Sequence, residues 1–306
     1  MYQTITVPDG AAQQTEPLGT KYKFWYRDAN ASLLLFKEGR PNTGENWAEK
    51  IACELAAEIH MPHALYELAV YENKKGVITR SLVENNARVI HGNELLPAYN
   101  SVYEVDGNKK YRNPQHTLRR VIAYLKGGQD TLGAPYGWKQ TAKVRNALDF
   151  FVGYLMFDAW IANQDRHDEN WGVLRMNDGN VFLSPSYDHG SSLGRNELDA
   201  SRKIRMATKD MPRHITTYAE NARSGFFPHV AQAKPIPLYT LDAFTQIAQH
   251  SKEAGKEWQD RLAAVDGNKV NTIISNIPSD VMTDIAKEFT EKLLEINRAR
   301  ILKVSI

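Results

Sequence analysis

The stretch Ala162-Asn-Gln-Asp165-Arg-His167-Asp168-Glu-Asn170-Trp-Gly-Val-Leu174, with its continuation to Tyr187-Asp188-His189-Gly190, constrains this chain more than any other. Residues 171–175 and 181–184 have the composition of strands. The turn formers Asn177, Asp178, Gly179 and Asn180 join them, so the segment reads as a hairpin. A hairpin returns the chain to its start, which sets Asp188 near Asn170. A carboxylate and an amide oxygen brought together this way suit a Mg²⁺ ion that also holds nucleotide phosphates. Asp165, not needed as a ligand, is then placed to accept a proton from an attacking hydroxyl. The same residue types also act as plain turn formers that satisfy their own backbone. The choice therefore rests on the remainder of the chain.

Asp-x4-Asn followed by Asp-x-Gly is the order of the catalytic loop and metal aspartate in protein kinases, which also need a lysine for the α- and β-phosphates and a glutamate to fix it. Residues 31–37 read as a buried strand ending in Lys37. At a period of two, Lys37 shares a face with Leu33 and Leu35, so its stem is packed and its ammonium held. From 46 to 60 the apolar residues Ala48, Ile51, Ala52, Leu55, Ala56 and Ile59 recur at helical spacing, with Glu49 beside the stripe. Glu45 and Glu54 compete with Glu49 as partner of Lys37. Upstream, Gly19-Thr20-Lys21-Tyr-Lys23 leads into an aromatic strand. It matches neither common glycine-rich phosphate motif, yet one glycine beside a threonine and two lysines offers N–H groups and positive charge to phosphates. An ordinary turn with solvated lysines accounts for those residues equally well.

Two further strands are expected at 64–71 and 76–82. The second, carrying Thr79-Arg80-Ser81-Leu82, leads toward the linker where a kinase backbone meets adenine. Residues 84–143 are polar and irregular apart from a helix expected at 113–125. The clearest helix spans 145–162, with Leu148, Phe151, Val152, Leu155, Met156, Ala159 and Trp160 on its stripe, and it delivers Asp165 from its C-terminal end. The basic run at 201–213 is either a solvated face or a loop facing substrate or nucleotide. Helices fill the chain from Thr240 onward, with Pro278-Ser279-Asp280 as the cap of the last. Residues 1–16 read as a loose tail or edge segment.

A length of 306 residues suffices for two lobes; a net charge of +2 argues neither for nor against nucleic acid, and no direct nucleic-acid partner is expected. No apolar run approaches the roughly 18 residues of a membrane span, and the N-terminus has no signal pattern. The one cysteine, Cys53, lies in an expected helix and has no internal disulfide partner, which fits the cytoplasm. Secretion as an effector is compatible with these features too.

Glu49-x3-Cys53-x-Leu55-Ala56 followed by Met61-Pro62-x-Ala64 resembles the helix-to-strand signature of HipA-like serine/threonine kinases. Asp165-Arg-His167-x-x-Asn170 and Ser184-Pro185-x-Tyr187-Asp188 resemble that family's catalytic and metal motifs, in order. The Asn-Trp-Gly run and the Asp-x-Gly-Ser-Ser-Leu run are similar to the short members that lack an extra N-terminal subdomain. The resemblance covers about residues 17–304. It implies an α+β, two-lobed kinase fold, with a strand-rich nucleotide lobe over 1–85 and a helical catalytic lobe over 86–306. It implies ATP and Mg²⁺ as cofactors, Asp165 as base, Lys37 on the phosphates with Glu49 orienting it, and Asn170 and Asp188 on the metal. Gly19, Thr20, Lys21, Lys23, Thr79, Arg80, Ser81, Leu82 and His167 would line the nucleotide. A protein with a Ser or Thr acceptor is the implied substrate and an antitoxin the implied partner, in a toxin or an effector. Two departures stand out. Thr20 replaces the serine that the family's loop autophosphorylates, and Thr79 to Leu82 lack the acidic residue that longer members carry before Arg.

Two other functions compete. A metal-dependent hydrolase would use Asp165, His167, Asp168, Asp188 and His189 as ligands of a transition metal. A pseudokinase would hold nucleotide without transfer, although Lys37, Asp165, Asn170 and Asp188 are all intact.

Overall fold

A computed structural model describes residues 1–12, 14–15, 21–83, 87–100, 103, 113–127, 132–229 and 235–306. Gly19 and Thr20 of the expected phosphate loop lie outside the described residues. The chain opens with β1 (Ile5–Thr6), β2 (Gln14–Thr15), β3 (Lys23–Arg27) and β4 (Leu33–Glu38), then α1 (Glu45–Glu58), β5 (Tyr66–Tyr71) and β6 (Lys74–Arg80). These strands form one sheet in the order β1-β5-β6-β4-β3-β2, antiparallel except where β1 lies parallel to β5. The first residues are therefore an edge of the sheet, the second of the two readings given to them.

The alternation of β3 and β4 puts Phe24, Tyr26, Leu34 and Phe36 on one face, where they pack with Tyr71 and Ile78 in a small core. On α1, Ala48, Ile51, Ala52, Leu55, Ala56 and Ile59 are all fully buried, and they join the main core. Cys53 belongs to that core, where burial pushes its thiol up to about 11. The helix ends in a Schellman arrangement: the Met61 N–H donates to Ala56 O and the His60 N–H to Ala57 O, with His60 at φ 52°.

Next come β7 (Arg88–His91), α2 (Gly92–Tyr99), α3 (Leu118–Gly127), β8 (Leu132–Gly133) and α4 (Ala147–Ile161). Then follow β9 (Gly172–Arg175), β10 (Val181–Leu183), α5 (Asp199–Ala207), α6 (Ile215–Glu220), α7 (Thr240–Ala248), α8 (Lys252–Ala264), α9 (Gly267–Ser275) and α10 (Asp284–Leu302). The expected hairpin is β9–β10, paired antiparallel with Val181 opposite Arg175, and Gly179 takes φ 87° in its turn. It sits inside a second sheet, β7-β9-β10-β8, whose outer strands the sequence did not announce.

Every residue of α4 is buried, not just one stripe. It packs against α7, α8 and α10, and each fully buried Phe or Leu adds about 1.5–3 kcal/mol. Asn146 and Asp149 form a capping box at its start, and Ala162 ends it in the left-handed region at φ 53°. Asp280 is not the cap of the last helix. Thr283 is, its side chain accepting from Ala286 N, while residues 278–282 form a hydrogen-bonded turn. The basic run fits neither of its two readings fully, because α5 buries Arg202 against Asp199 and Gly194 O and leaves Lys203 exposed.

Candidate active site

Between the six-stranded sheet and the β7–β10 layer lies a cleft. From the sheet side it is lined by Lys21, Lys23, Trp25, Leu35, Lys37, Tyr66 and Thr79 through Val83. Asp165, His167, Glu169, Asn170, Tyr187 and Asp188 face it from the other side, so all the described members of the expected site except Glu49 meet at one cavity.

Glu49, 2% exposed, lies just behind it and accepts from Lys37 Nζ at 2.9 Å through Oε1. Its Oε2 accepts the His189 backbone N–H at 2.8 Å, so one α1 carboxylate fixes both the strand lysine and the segment that carries Asp188. A Cβ on Gly190 would approach Glu49 Cγ to 3.3 Å, which keeps that segment close. The two rival glutamates are occupied elsewhere. Glu54 pairs with Lys50, and Glu45 receives Lys21, Arg40 and Arg195.

Lys37 Nζ also lies 3.0 Å from Asp188 Oδ1. Burial pushes the ammonium down, but the Asp188 and Glu49 carboxylates outweigh it and hold its pKa well above the usual lysine range. Burial pushes Asp188 up, and Lys37, with Lys21 and Lys23 behind it, overcomes this and holds the carboxyl well below its ordinary value. Burial raises Glu49, and Asp188 adds to that rise against the pull of Lys37. Asp188 takes φ 56°, a left-handed conformation that aspartate tolerates better than most residues, and its N–H donates to the Tyr66 hydroxyl.

The loop after α4 is held from below. Arg166, 1% exposed, donates through Nε and Nη2 to both oxygens of Asp158, and through Nη1 to Asn170 O. Asn163 bonds Asp158 and accepts from Asp165 N. Asp165 therefore leaves a rigid base with its side chain 41% exposed toward the cleft. Asn170 Nδ2 donates to Asp165 O at 2.7 Å, which leaves its amide oxygen as the group available to the cavity. One amide oxygen and one ionised carboxylate on the same cleft fit a hard cation that takes its other ligands from phosphate and water. His167 is mostly buried, with Nδ1 accepting from Glu169 N and Nε2 3.8 Å from Asp165 Oδ1.

The hydrolase set does not assemble. Asp168 accepts from the Tyr103 hydroxyl, and His189 is fully buried with Nε2 against Ser186 Oγ at 2.7 Å. Burial holds the His189 imidazole well below its usual pKa. Among the described residues no three His, Cys, Asp or Glu side chains are grouped to hold a metal ion.

Sequence reasoning missed Ser191 and Arg195 as site neighbours and weighed Glu45 only as a rival partner of Lys37. It also missed Val83, Val89 and His91 in the cleft wall, where His91 Nδ1 meets the Tyr187 hydroxyl at 2.7 Å. The apolar pair Val89-Ile90 between Arg88 and His91 was the one available signal for that wall.

No family model matches the chain. It is 24% identical over 268 residues, 85% of this chain and 71% of the relative, to the serine/threonine-protein kinase CtkA of Helicobacter pylori. The crystal structure of CtkA, a proinflammatory kinase, superposes with a TM-score of 0.68 at 20% identity, covering 99% of this chain and 100% of that one. HipA from a Shewanella oneidensis toxin–antitoxin complex superposes with a TM-score of 0.57 at 11% identity, covering 96% and 68%. The chain thus shares the fold of the CtkA and HipA kinases, and its sequence is similar to that of the serine/threonine-protein kinase CtkA.

Proposed function

We propose that this chain transfers the γ-phosphoryl group of ATP to a serine or threonine hydroxyl of a protein, with residues 1–85 as the nucleotide lobe and 86–306 as the catalytic lobe. The observation that carries the reading is the single cleft shared by Lys37, Asp165, Asn170 and Asp188. The Thr79–Val83 backbone and the apolar walls Trp25, Leu35 and Ala64 would receive the adenine, with Lys21 and Lys23 toward the phosphates. Lys37, held by Glu49, would neutralise the α- and β-phosphates. Asn170 and Asp188 would hold Mg²⁺, which when bound neutralises phosphate charge. Asp165 would accept the proton of the acceptor hydroxyl as its oxygen bonds to the γ-phosphorus and the bond to the ADP oxygen breaks. Most of the rate gain comes from positioning and charge complementarity.

The test is phosphotransfer from labelled ATP, with ATP affinity measured by calorimetry. Asp165→Ala should lower kcat by about 10²–10⁴-fold while ATP still binds. Asp188→Ala should lose both transfer and Mg²⁺-dependent nucleotide affinity. Transfer by Asp165→Ala at the wild-type rate would remove Asp165 from the role of base. Mass spectrometry of the same samples shows whether the enzyme labels itself.

The HipA relative belongs to a toxin–antitoxin complex. By that likeness a partner protein that holds this kinase inactive is part of the proposal, whether the chain acts in the cytoplasm or is exported. No helix among the described residues is long and apolar enough to cross a membrane. Affinity purification from the native cell, with and without the gene next to this one, would find such a partner or show that the kinase travels alone.

A further inference from the structure

Resting on the kinase reading above, we propose that Glu45, Arg195 and Ser191 form a relay that orients Asp165 and ties it to Lys21. A carboxylate that is 41% exposed is free to rotate unless something holds one of its oxygens. Ser191 Oγ does so, donating to Asp165 Oδ2 at 3.1 Å. Arg195 Nη2 in turn donates to Ser191 Oγ at 3.0 Å. A guanidinium only donates and a serine hydroxyl has a single proton, so the contact with Arg195 directs that proton at Asp165. The relay thus has a fixed polarity: guanidinium to hydroxyl to carboxylate. It occupies Oδ2 and leaves Oδ1, on the side of His167, for the proton of an acceptor hydroxyl.

Each member is itself pinned. Ser191 O accepts from Gln164 N at 3.2 Å, so the base loop and the loop after Asp188 are laced together at two points. Arg195 O accepts from Gly44 N at 3.0 Å, and its guanidinium donates to Glu45 Oε1. Glu45 is 3% exposed and opens α1, where a carboxylate is favoured by the helix dipole. Burial pushes it up, but Lys21 and Arg195 outweigh this and keep it ionised. Its Oε2 takes Lys21 Nζ at 2.9 Å, and Arg40 Nη1 lies 3.0 Å from Oε1. Lys21 lines the cleft on the nucleotide side. One buried carboxylate therefore connects the phosphate side of the cleft to the base across it. None of the three relay residues touches the reacting atoms, so they are positioning residues.

The test uses labelled ATP, Mg²⁺ and dephosphorylated casein as acceptor, with ATP hydrolysis and self-labelling followed in the same reactions. Ser191→Ala and Arg195→Gln, both confirmed as folded by thermal melting, should each lower kcat about 10- to 100-fold. The KM for ATP should change less than about threefold in each, which separates orientation of the base from loss of nucleotide binding. Because the two act in series, the double variant should cost no more than the worse single one. Ser191→Thr keeps the hydroxyl and should restore most of kcat. Wild-type kcat in Ser191→Ala, or a double variant whose loss is the product of the singles, overturns the relay while leaving the kinase reading intact. A wild-type protein with no transfer, hydrolysis or self-labelling overturns both.

Discussion

Lys37 Nζ and Asp188 Oδ1 meet at 3.0 Å, joining β4 of the first sheet to the turn that follows β10 of the second. Glu49 takes the same ammonium at 2.9 Å, so one lysine is shared by two carboxylates from separate elements. The raised pKa of Lys37 means its contribution to stability is complete below the ordinary lysine value of 10.5 and lost only as pH rises through the higher folded value. The depressed pKa of Asp188 means its share is present above 3.8 and lost as pH falls through the lower folded value. Across the neutral range Lys37 therefore keeps its charge and Asp188 stays ionised. Lys37→Met strands Glu49, 2% exposed, without a counter-charge. The loss should be about 3 kcal/mol at pH 8. At pH 5 it should shrink, because burial lets Glu49 keep a proton that rising pH removes. Urea midpoints at the two pH values measure this, and an equal loss at both would show that Glu49 does not titrate in the variant.

Arg166 is the floor of the loop that carries Asp165, and its partner Asp158 lies one turn before the end of α4. Both side chains are almost wholly buried. Arg166→Leu leaves the Asp158 carboxyl in the core with only Asn163 as a side-chain donor, and it frees Asn170 O and Ser186 Oγ of their bonds to the guanidinium. The expected cost is about 3–5 kcal/mol in urea unfolding. Adding Asp158→Asn removes the stranded charge and should recover part of it. A second change that makes matters worse would mean that the cost came from lost packing of the arginine.

The local pattern carried the β9–β10 hairpin and the helices α1 and α4 because their periods are short and their turns use distinctive residues. Asp188 near Asn170 follows from the hairpin alone, and both do line one cleft. Lys37 with Glu49 was harder, since Glu45 and Glu54 have the same chemistry. Tertiary contacts separated the three, giving Glu45 to Lys21 and Arg195 and Glu54 to Lys50. β7 and α2 went unread because their short segments sit in polar sequence, and β7 pairs with β9, far along the chain. The relay through Ser191 and Arg195 was illegible for another reason. Its bonds cross between loops whose spacing is set by α1 and α4, and no local pattern encodes such a distance.

His60 is the left-handed residue of the Schellman turn that closes α1, and its side chain is exposed. A residue with a Cβ is strained there, and glycine is not. His60→Gly keeps the backbone bonds to Ala57 and from Arg261 Nη1. It should gain about 0.5–1 kcal/mol, after the larger chain entropy of glycine in the unfolded state is counted. Thermal unfolding of the pair of proteins is the measurement. A lower melting temperature in the variant would mean that the imidazole makes a contact worth more than the strain.

Gly225 presses on the base loop from outside. A Cβ there would lie 2.4 Å from Arg166 C and O and 2.7 Å from His167 N, all backbone atoms that cannot swing aside. Its carbonyl also accepts from His116 Nδ1 at 2.8 Å, since His116 Nε2 takes the Trp171 indole N–H, so the glycine segment cannot retreat without breaking that bond. Gly225→Ala must therefore move the loop that carries Asp165. Overpacking of this kind costs about 1–3 kcal/mol, which a domain of ordinary stability survives. With Asp165 as the proposed base, displacing it by a fraction of an ångström should lower kcat about 10- to 100-fold. ATP affinity should hold, because Lys37, Thr79 and Glu49 stand on other elements. Steady-state kinetics beside calorimetry resolve the two effects. If kcat and ATP affinity fell together, the damage would have spread through the fold, and if neither changed, the base loop would not be the rigid element that its buried arginine suggests.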